Sequence, residues 1–235
     1  APAPWAGDEQ IHGEALAALR EQWTALGKPM AVFTCPTCKQ MFGRYLPEIQ
    51  GIFLYELLAN TGISPASDGQ GETISVFDPC ASRDEPAVQR AVRQLAALSG
   101  YSHQTLPLDG RLSACCSWGG QVSTTHPRYA HEVVQARITQ NDNPYITYCV
   151  NCRDNFAAAQ KPAYHILDII FNLNSSKRAA PTLTERRSNR VRLKSQVLSA
   201  FWQESTIMEP KKNPFVLQIA PQVKEKLSDE MILET

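Results

Sequence analysis

Seven cysteines carry the chemistry this chain could do. Five of them read Cys80, then Cys115-Cys116, then Cys149-Val150-Asn151-Cys152, with 34 residues before the adjacent pair and 32 after it. The pair cannot easily close a relaxed disulfide on itself, because neighbouring Cα atoms sit too close for normal S–S geometry. Adjacent thiolates can instead hold two nearby metal atoms of a polynuclear centre, so iron and sulfide are the first chemistry the spacing suggests. The other two, Cys35-Pro36-Thr37-Cys38, form an isolated Cys-x-x-Cys. Such a motif fits half a zinc site, a thioredoxin-type dithiol or a cluster loop. A single working dithiol would leave Cys115-Cys116 unexplained. Zinc is the stronger rival: Cys35, Cys38, Cys149 and Cys152 make two knuckles for one tetrahedral site, but they strand Cys80 and the pair. For Cys35 and Cys38 taken alone, zinc stays open.

Few other residues compete. His126, His131 and His165 lie near the cysteine segments in sequence, yet a lone histidine is more often packed or solvated than ligating. His165 opens the apolar run Ile166–Phe171 and reads as core. Trp118 serves either to cap a site against water or to fill the core. No Gly-x-Gly-x-x-Gly, P-loop or Cys-x-x-Cys-x-x-Cys run is present, so a flavin or cubane cluster has to come from other sequence or from a partner.

The elements that must position these residues show helix and strand alternating. Ala31–Thr34 and Tyr145–Tyr148 are β-prone, and each runs into a Cys-x-x-Cys. After each comes a short helical stretch and a second apolar segment, Ile52–Leu58 or His165–Phe171. Amphipathic helices precede both, over 9–26, with its period at Leu16, Leu19 and Trp23, and over 127–140. Between the copies, Thr73–Phe77 reads as a buried strand and 84–98 as a helix. This is an α/β pattern: two pseudo-repeated units with mainly parallel sheets flanked by helices, plus a helical C-terminal extension. The boundaries fall at 1–60, 61–174 and 175–235. In a parallel α/β fold the carboxyl ends of strands face one crevice, which would bring Cys80, the pair and Cys149/Cys152 together.

Past Phe171, a linker over 172–176 leads to a helix from Pro181-Thr182 to about Gln203, carrying Arg186, Arg187, Arg190, Arg192 and Lys194. A second linker over 209–214 precedes a strand at 215–219 and a helix from Pro221. The basic helix lacks the aromatic interleaving of a single-stranded nucleic-acid site, and net charge is zero, so nucleic acid is not expected as a partner. No apolar run reaches membrane-spanning length, and Ala1–Trp5 lacks a signal-peptide layout. An odd number of cysteines suits a reducing compartment, so the expected location is cytoplasmic.

Read with their neighbours, the cysteines resemble the cysteine-rich CCG domain found in heterodisulfide reductases and in the iron–sulfur components of glycolate and lactate oxidation systems. The matching residues are Phe77-Asp78-Pro79-Cys80, Cys115-Cys116-Ser117-Trp118-Gly119-Gly120 and Tyr148-Cys149-Val150-Asn151-Cys152-Arg153-Asp154. The resemblance implies a non-cubane [4Fe–4S] cluster held by Cys80, Cys115, Cys116, Cys149 and Cys152, with Cys35 and Cys38 as a second, incomplete site. Backbone N–H groups of Ser117, Trp118, Gly119 and Gly120 would then bond to cluster sulfur. It further implies an iron–sulfur oxidoreductase that exchanges electrons with a flavin or ferredoxin-type partner and acts on a thiol/disulfide or small organic substrate. The alternative is a zinc-stabilised structural or interaction module. Ser117 stands where the family has glycine, and the last interval is slightly short; neither change removes a ligand. Only the closing Cys-x-x-Cys of a first unit is present, and the chain stops mid-helix at Thr235. The sequence is therefore expected to be a piece of a longer fused oxidoreductase.

Overall fold

The computed structural model describes residues 2–173 and 181–202. The chain divides into two compact units, 1–179 and 180–235. In the first, the order is α1 (Pro2–Trp5), α2 (Glu9–Ala25), β1 (Ala31–Phe33), α3 (Pro36–Tyr45), β2 (Gly51–Phe53), α4 (Leu54–Asn60), β3 (Thr73–Val76), α5 (Pro86–Leu98) and β4 (Ser102–His103). It continues with α6 (Val122–Thr125), α7 (Pro127–Ile138), β5 (Tyr145–Thr147), α8 (Val150–Ala158), β6 (Ala163–His165) and α9 (Ile166–Ile170). Strands β1 and β2 pair in parallel, and a second parallel sheet runs β4-β3-β5-β6. This is the α/β arrangement that the alternation implies.

Local chemistry explains the elements. In β3, Ile74, Ser75 and Val76 are all buried, as expected of a central parallel strand covered on both faces. Helix α5 starts with Pro86 at its first position and buries Val88, Ala91, Val92, Leu95 and Ala96. That i, i+3, i+4, i+7, i+8 stripe is one helical face. It ends where Ser99 Oγ donates to the Leu95 carbonyl at 2.8 Å and Gly100 turns at φ 79. One core cluster joins the two sheets, taking Phe33 and Phe53 from the first, Tyr55 from α4, and Ile74, Val76 and Ile146 from the second. A second cluster packs Phe77, Tyr145 and Phe156 with Cys116, Cys149 and Cys152.

The internal repeat is visible in backbone detail. Segment β1-α3-β2-α4 has the same order as β5-α8-β6-α9. Cys35 caps α3 at φ −120, ψ 119, and Cys149 caps α8 at φ −128, ψ 117. The residue ahead of the last helix donates its N–H to an acid three positions on: Phe53 to Glu56 at 3.3 Å, His165 to Asp168 at 2.9 Å. A carboxylate satisfies an otherwise orphaned helix N–H in both copies.

Two elements differ from expectation. The periodicity of α2 predicts a buried stripe through Leu16, Leu19 and Trp23, yet the helix buries no residue: Leu19 is exposed and the other two are half-buried. Polar links hold it instead, from Arg20 to Glu48 at 2.6 Å and from Trp23 Nε1 to the Pro29 carbonyl at 2.8 Å. The helix expected over 84–98 starts two residues later, because Pro86 fits the first turn and not a position before it.

In the second unit, α10 spans Leu183–Trp202. Thr182 and Glu185 cap it reciprocally: Glu185 N–H donates to Thr182 Oγ1 at 3.2 Å, and Thr182 N–H donates to Glu185 Oε2 at 2.8 Å. The second linker, the strand expected at 215–219 and the helix from Pro221 lie outside the described residues.

Candidate metal centre

Strand ends deliver the cysteines. The chain leaves β3 through Phe77-Asp78-Pro79 and enters a single 3₁₀ turn at Cys80–Ser82. It leaves β5, the neighbour of β3, through Tyr148, and Cys149 opens α8. Cys115 and Cys116 come from the irregular segment between short 3₁₀ turns at Gly110–Leu112 and Gly119–Gln121. All seven thiols are free.

Three segments bring the five cysteines into one neighbourhood. Cys152 Sγ donates to Cys116 Sγ at 3.1 Å, and Cys80 with Cys115, Cys115 with Cys116, and Cys149 with Cys152 lie near enough to shift one another's titration. Cys116 and Cys80, with the Ser117 N–H and the nearby Arg83, pull the Cys115 pKa down to about 2. Cys149 is lowered by the thiol of Cys152. The others move the other way: Cys80 is raised by Cys115 and by burial, Cys116 is pushed up to about 12 by Cys115, and Cys152 is raised by Cys116 and Cys149. Among the described residues, no group of three or more His, Cys, Asp or Glu side chains is arranged so that it could hold a metal ion.

The loop after the pair behaves as a donor loop in its first half. Ser117 N–H donates to Cys115 Sγ at 3.2 Å, and the Trp118 backbone N–H acts to lower Cys116. Ser117 does this at φ 68, the left-handed conformation that favours glycine. Its buried hydroxyl donates to the Ala130 carbonyl at 3.0 Å, which ties the loop to α7. The geometry attributed to the family's glycine is therefore adopted by serine. Trp118 packs against the cysteine-bearing core cluster, with Trp5 edge-on at 6.1 Å. Gly119 has nothing within 4 Å of where a Cβ would stand, and Gly120 is exposed at φ 69.

One buried carboxylate anchors all three cysteine segments, and sequence reasoning gave it no role. Asp78 receives Arg93 through Nη1 at 3.0 Å and Nη2 at 2.7 Å, the Gly110 N–H at 2.8 Å and the Tyr148 hydroxyl at 2.9 Å. Ser82 Oγ lies 2.8 Å from the same hydroxyl. Asp78 is two residues before Cys80, Tyr148 is one before Cys149, and Gly110 opens the segment leading to Cys115. Burial, then the charge of Asp78, pushes the Tyr148 phenol well up, which keeps it a donor. A lone acid closing the run Ile74–Phe77 was the available signal.

Cys35 and Cys38 form a separate pair. The neighbouring Cys38 thiol, with Thr37 beside it, lowers Cys35 to about 6 against the opposing effect of burial. The two Cys-x-x-Cys loops meet at buried Tyr55, whose hydroxyl donates to the Thr34 carbonyl at 2.6 Å and lies 3.4 Å from the Tyr148 carbonyl. His126 and His131 are exposed; His165 is held against Tyr55 and caps α9 through Nδ1, which accepts from Leu167 N–H at 3.3 Å. Among the described residues no helix is long and apolar enough to cross a membrane. No family model matches the chain, and no curated protein matches it either.

Proposed function

We propose that the first unit is an iron–sulfur oxidoreductase domain of the heterodisulfide-reductase type. The observation that supports this reading is the gathering of five free thiols from three separate segments, with Cys152 bonded to Cys116. Cys80, Cys115, Cys116, Cys149 and Cys152 would hold a cluster, non-cubane [4Fe–4S] by the resemblance. When bound, that group supplies one-electron chemistry and an iron site open to substrate sulfur. The chain's own residues do the rest. Ser117 and Trp118 N–H groups donate to the sulfurs and favour their thiolate form. Trp118 and Phe156, packed with Cys116, Cys149 and Cys152, would shield such a group from water. Asp78, Tyr148 and Ser82 hold the ligand segments in register.

The electron partner is a flavin or ferredoxin-type module, and the substrate class is a thiol/disulfide or small organic molecule. Seven free thiols suit a reducing cytoplasm. The test is anaerobic purification with iron, zinc and acid-labile sulfide analysis. About four iron and four sulfide per chain, with brown colour, is the expected result. One zinc per chain without sulfide would overturn the reading in favour of a zinc-stabilised module.

A further inference from the structure

Cys80 and Cys115 are half-exposed, whereas Cys116, Cys149 and Cys152 are buried, so a small molecule meets the five-thiol site from the side of the first two. Arg83 stands on that side. The 3₁₀ turn Cys80–Ser82 continues into Arg83, whose backbone stays right-handed at φ −54, ψ −39. Side chains three apart on such a turn eclipse one another, so Cys80 and Arg83 project from the same face. The arginine is held in place. Its Nε donates to the carbonyl of Ser113, two residues ahead of Cys115, at 2.7 Å. Gln89 Nε2 donates to the carbonyls of Ser82 at 2.8 Å and Arg83 at 3.3 Å, which fixes the backbone below it. The side chain thus bridges the Cys80 and Cys115 segments. Its outer end is unused: Arg83 is exposed, and among the described residues Nη1 and Nη2 make no hydrogen bond or ion pair. The neighbouring acids are turned to other cations. Glu85 takes Lys39 at 2.7 Å, Asp84 lies 3.8 Å from Arg111, and Asp78 and Asp109 share Arg93.

We infer that Arg83 is an anion-recognition residue of the five-thiol site, and that the small molecules this site takes carry a carboxylate. The inference rests on the reading of these thiols as a reactive centre and adds the charge of the substrate to it. The two terminal nitrogens of a guanidinium form a planar fork that matches the two oxygens of a carboxylate. Because Nε is already fixed on Ser113, less side-chain freedom is lost when the anion arrives. Cys80 and Arg83 rise from one turn, so the molecule is a short one, with its carboxylate a few bonds from the atom that meets sulfur. A neutral molecule of the same size gains nothing from the fork, and an amine in its place is repelled by the guanidinium.

Iodoacetate and iodoacetamide test this, because they are nearly the same size, alkylate the same thiols and differ by one negative charge. The full chain is used after metal removal, at low salt, with the rate at each cysteine followed by peptide mass mapping. Taking the iodoacetate rate over the iodoacetamide rate cancels any change in the thiol's own reactivity. At Cys80 or Cys115 this ratio should be about five-fold higher in wild type than in Arg83→Gln, the attraction of two unit charges about 4 Å apart in water. Arg83→Lys, which keeps the charge and loses the fork, should fall between them. Salt at about 1 M should shrink the wild-type advantage. At Cys38 the ratio should be the same in all three proteins, and the iodoacetamide rates at buried Cys116 and Cys152 should stay at the wild-type level if the fold is kept. Ratios at Cys80 and Cys115 that do not fall in Arg83→Gln, that fall equally at Cys38, or that ignore salt in wild type would each overturn the inference. Iron and sulfide are assayed separately on the chain as purified. Their absence would remove the cluster, and the ratio at Cys80 and Cys115 would still decide the role of Arg83.

Discussion

Replacing Asp78 by asparagine probes how the three cysteine segments are held. The change keeps shape but removes the charge that two guanidinium N–H groups, one backbone N–H and one phenol all face. Asp78 is fully buried and Arg93 is 24 % exposed, so the pair sits between a surface ion pair and a dry one. Breaking a buried pair costs roughly 3–5 kcal/mol, whereas exposed pairs are worth under about 1. Arg93 keeps a second partner in Asp109 at 3.2 Å and some water, which places the loss near the lower bound, about 3 kcal/mol. With a urea slope of about 2 kcal/mol per molar, the unfolding midpoint should fall by about 1.5 M. A double variant with Arg93→Met should be less unstable than the two single losses added, by about 1–2 kcal/mol, because the orphaned cation is then gone. Metal-free Asp78→Asn should also alkylate faster at Cys80 and Cys149 together, since both segments lose the same anchor. A midpoint shift below about 0.3 M, or strictly additive losses, would refute the anchoring argument.

Cys→Ser at Cys115 or Cys116 should abolish or reshape the paramagnetic signal of the loaded protein, while the same change at Cys35 or Cys38 leaves it largely intact; equal loss from both groups, at matched iron, would mean one shared centre. At Ser117, alanine should be less stable than glycine by about 1 kcal/mol in urea melts, because both lose the bond to Ala130 and only alanine keeps the cost of φ 68. Burial lowers the pKa of His165 below its ordinary value, with Asp168 opposing the shift. The folded state then binds this proton less readily than the unfolded chain. The stability it contributes is therefore present above about pH 6.5 and declines as pH falls below that, by up to about 1.4 kcal/mol per unit. His165→Gln should flatten that part of a pH–stability curve.

The parts of this fold legible in sequence are those set by near neighbours. Helix α5 announces itself by a stripe from Val88 to Ala96 and a proline at its start, and β3 by four buried residues ending at Phe77. The repeat is readable because two strands run into the same Cys-x-x-Cys, and the structure extends the likeness to cap angles and helix-capping acids. Helix α2 shows the limit of periodicity: its apolar spacing is real, but a pattern states only which face could be buried, not whether anything stands over it. Asp78 shows a second limit. Its partners Arg93, Gly110 and Tyr148 are 15, 32 and 70 residues away, and no local pattern records such separations.

Ser117 joins both lessons. As a residue type it argues against a left-handed turn, because a Cβ there costs about 1 kcal/mol. The structure adopts the turn, with the buried hydroxyl on Ala130 and the N–H on Cys115. A hydrogen bond is worth a similar amount, about 1 kcal/mol, so the two effects offset and serine becomes as acceptable as glycine. What the position demands is an N–H aimed at sulfur, and the backbone supplies that whichever residue stands there. The cysteine segments are therefore defined by main-chain geometry anchored on one carboxylate. Substitutions around the pair should be tolerated wherever φ at 117 can stay positive, and not where the anchor at Asp78 is lost.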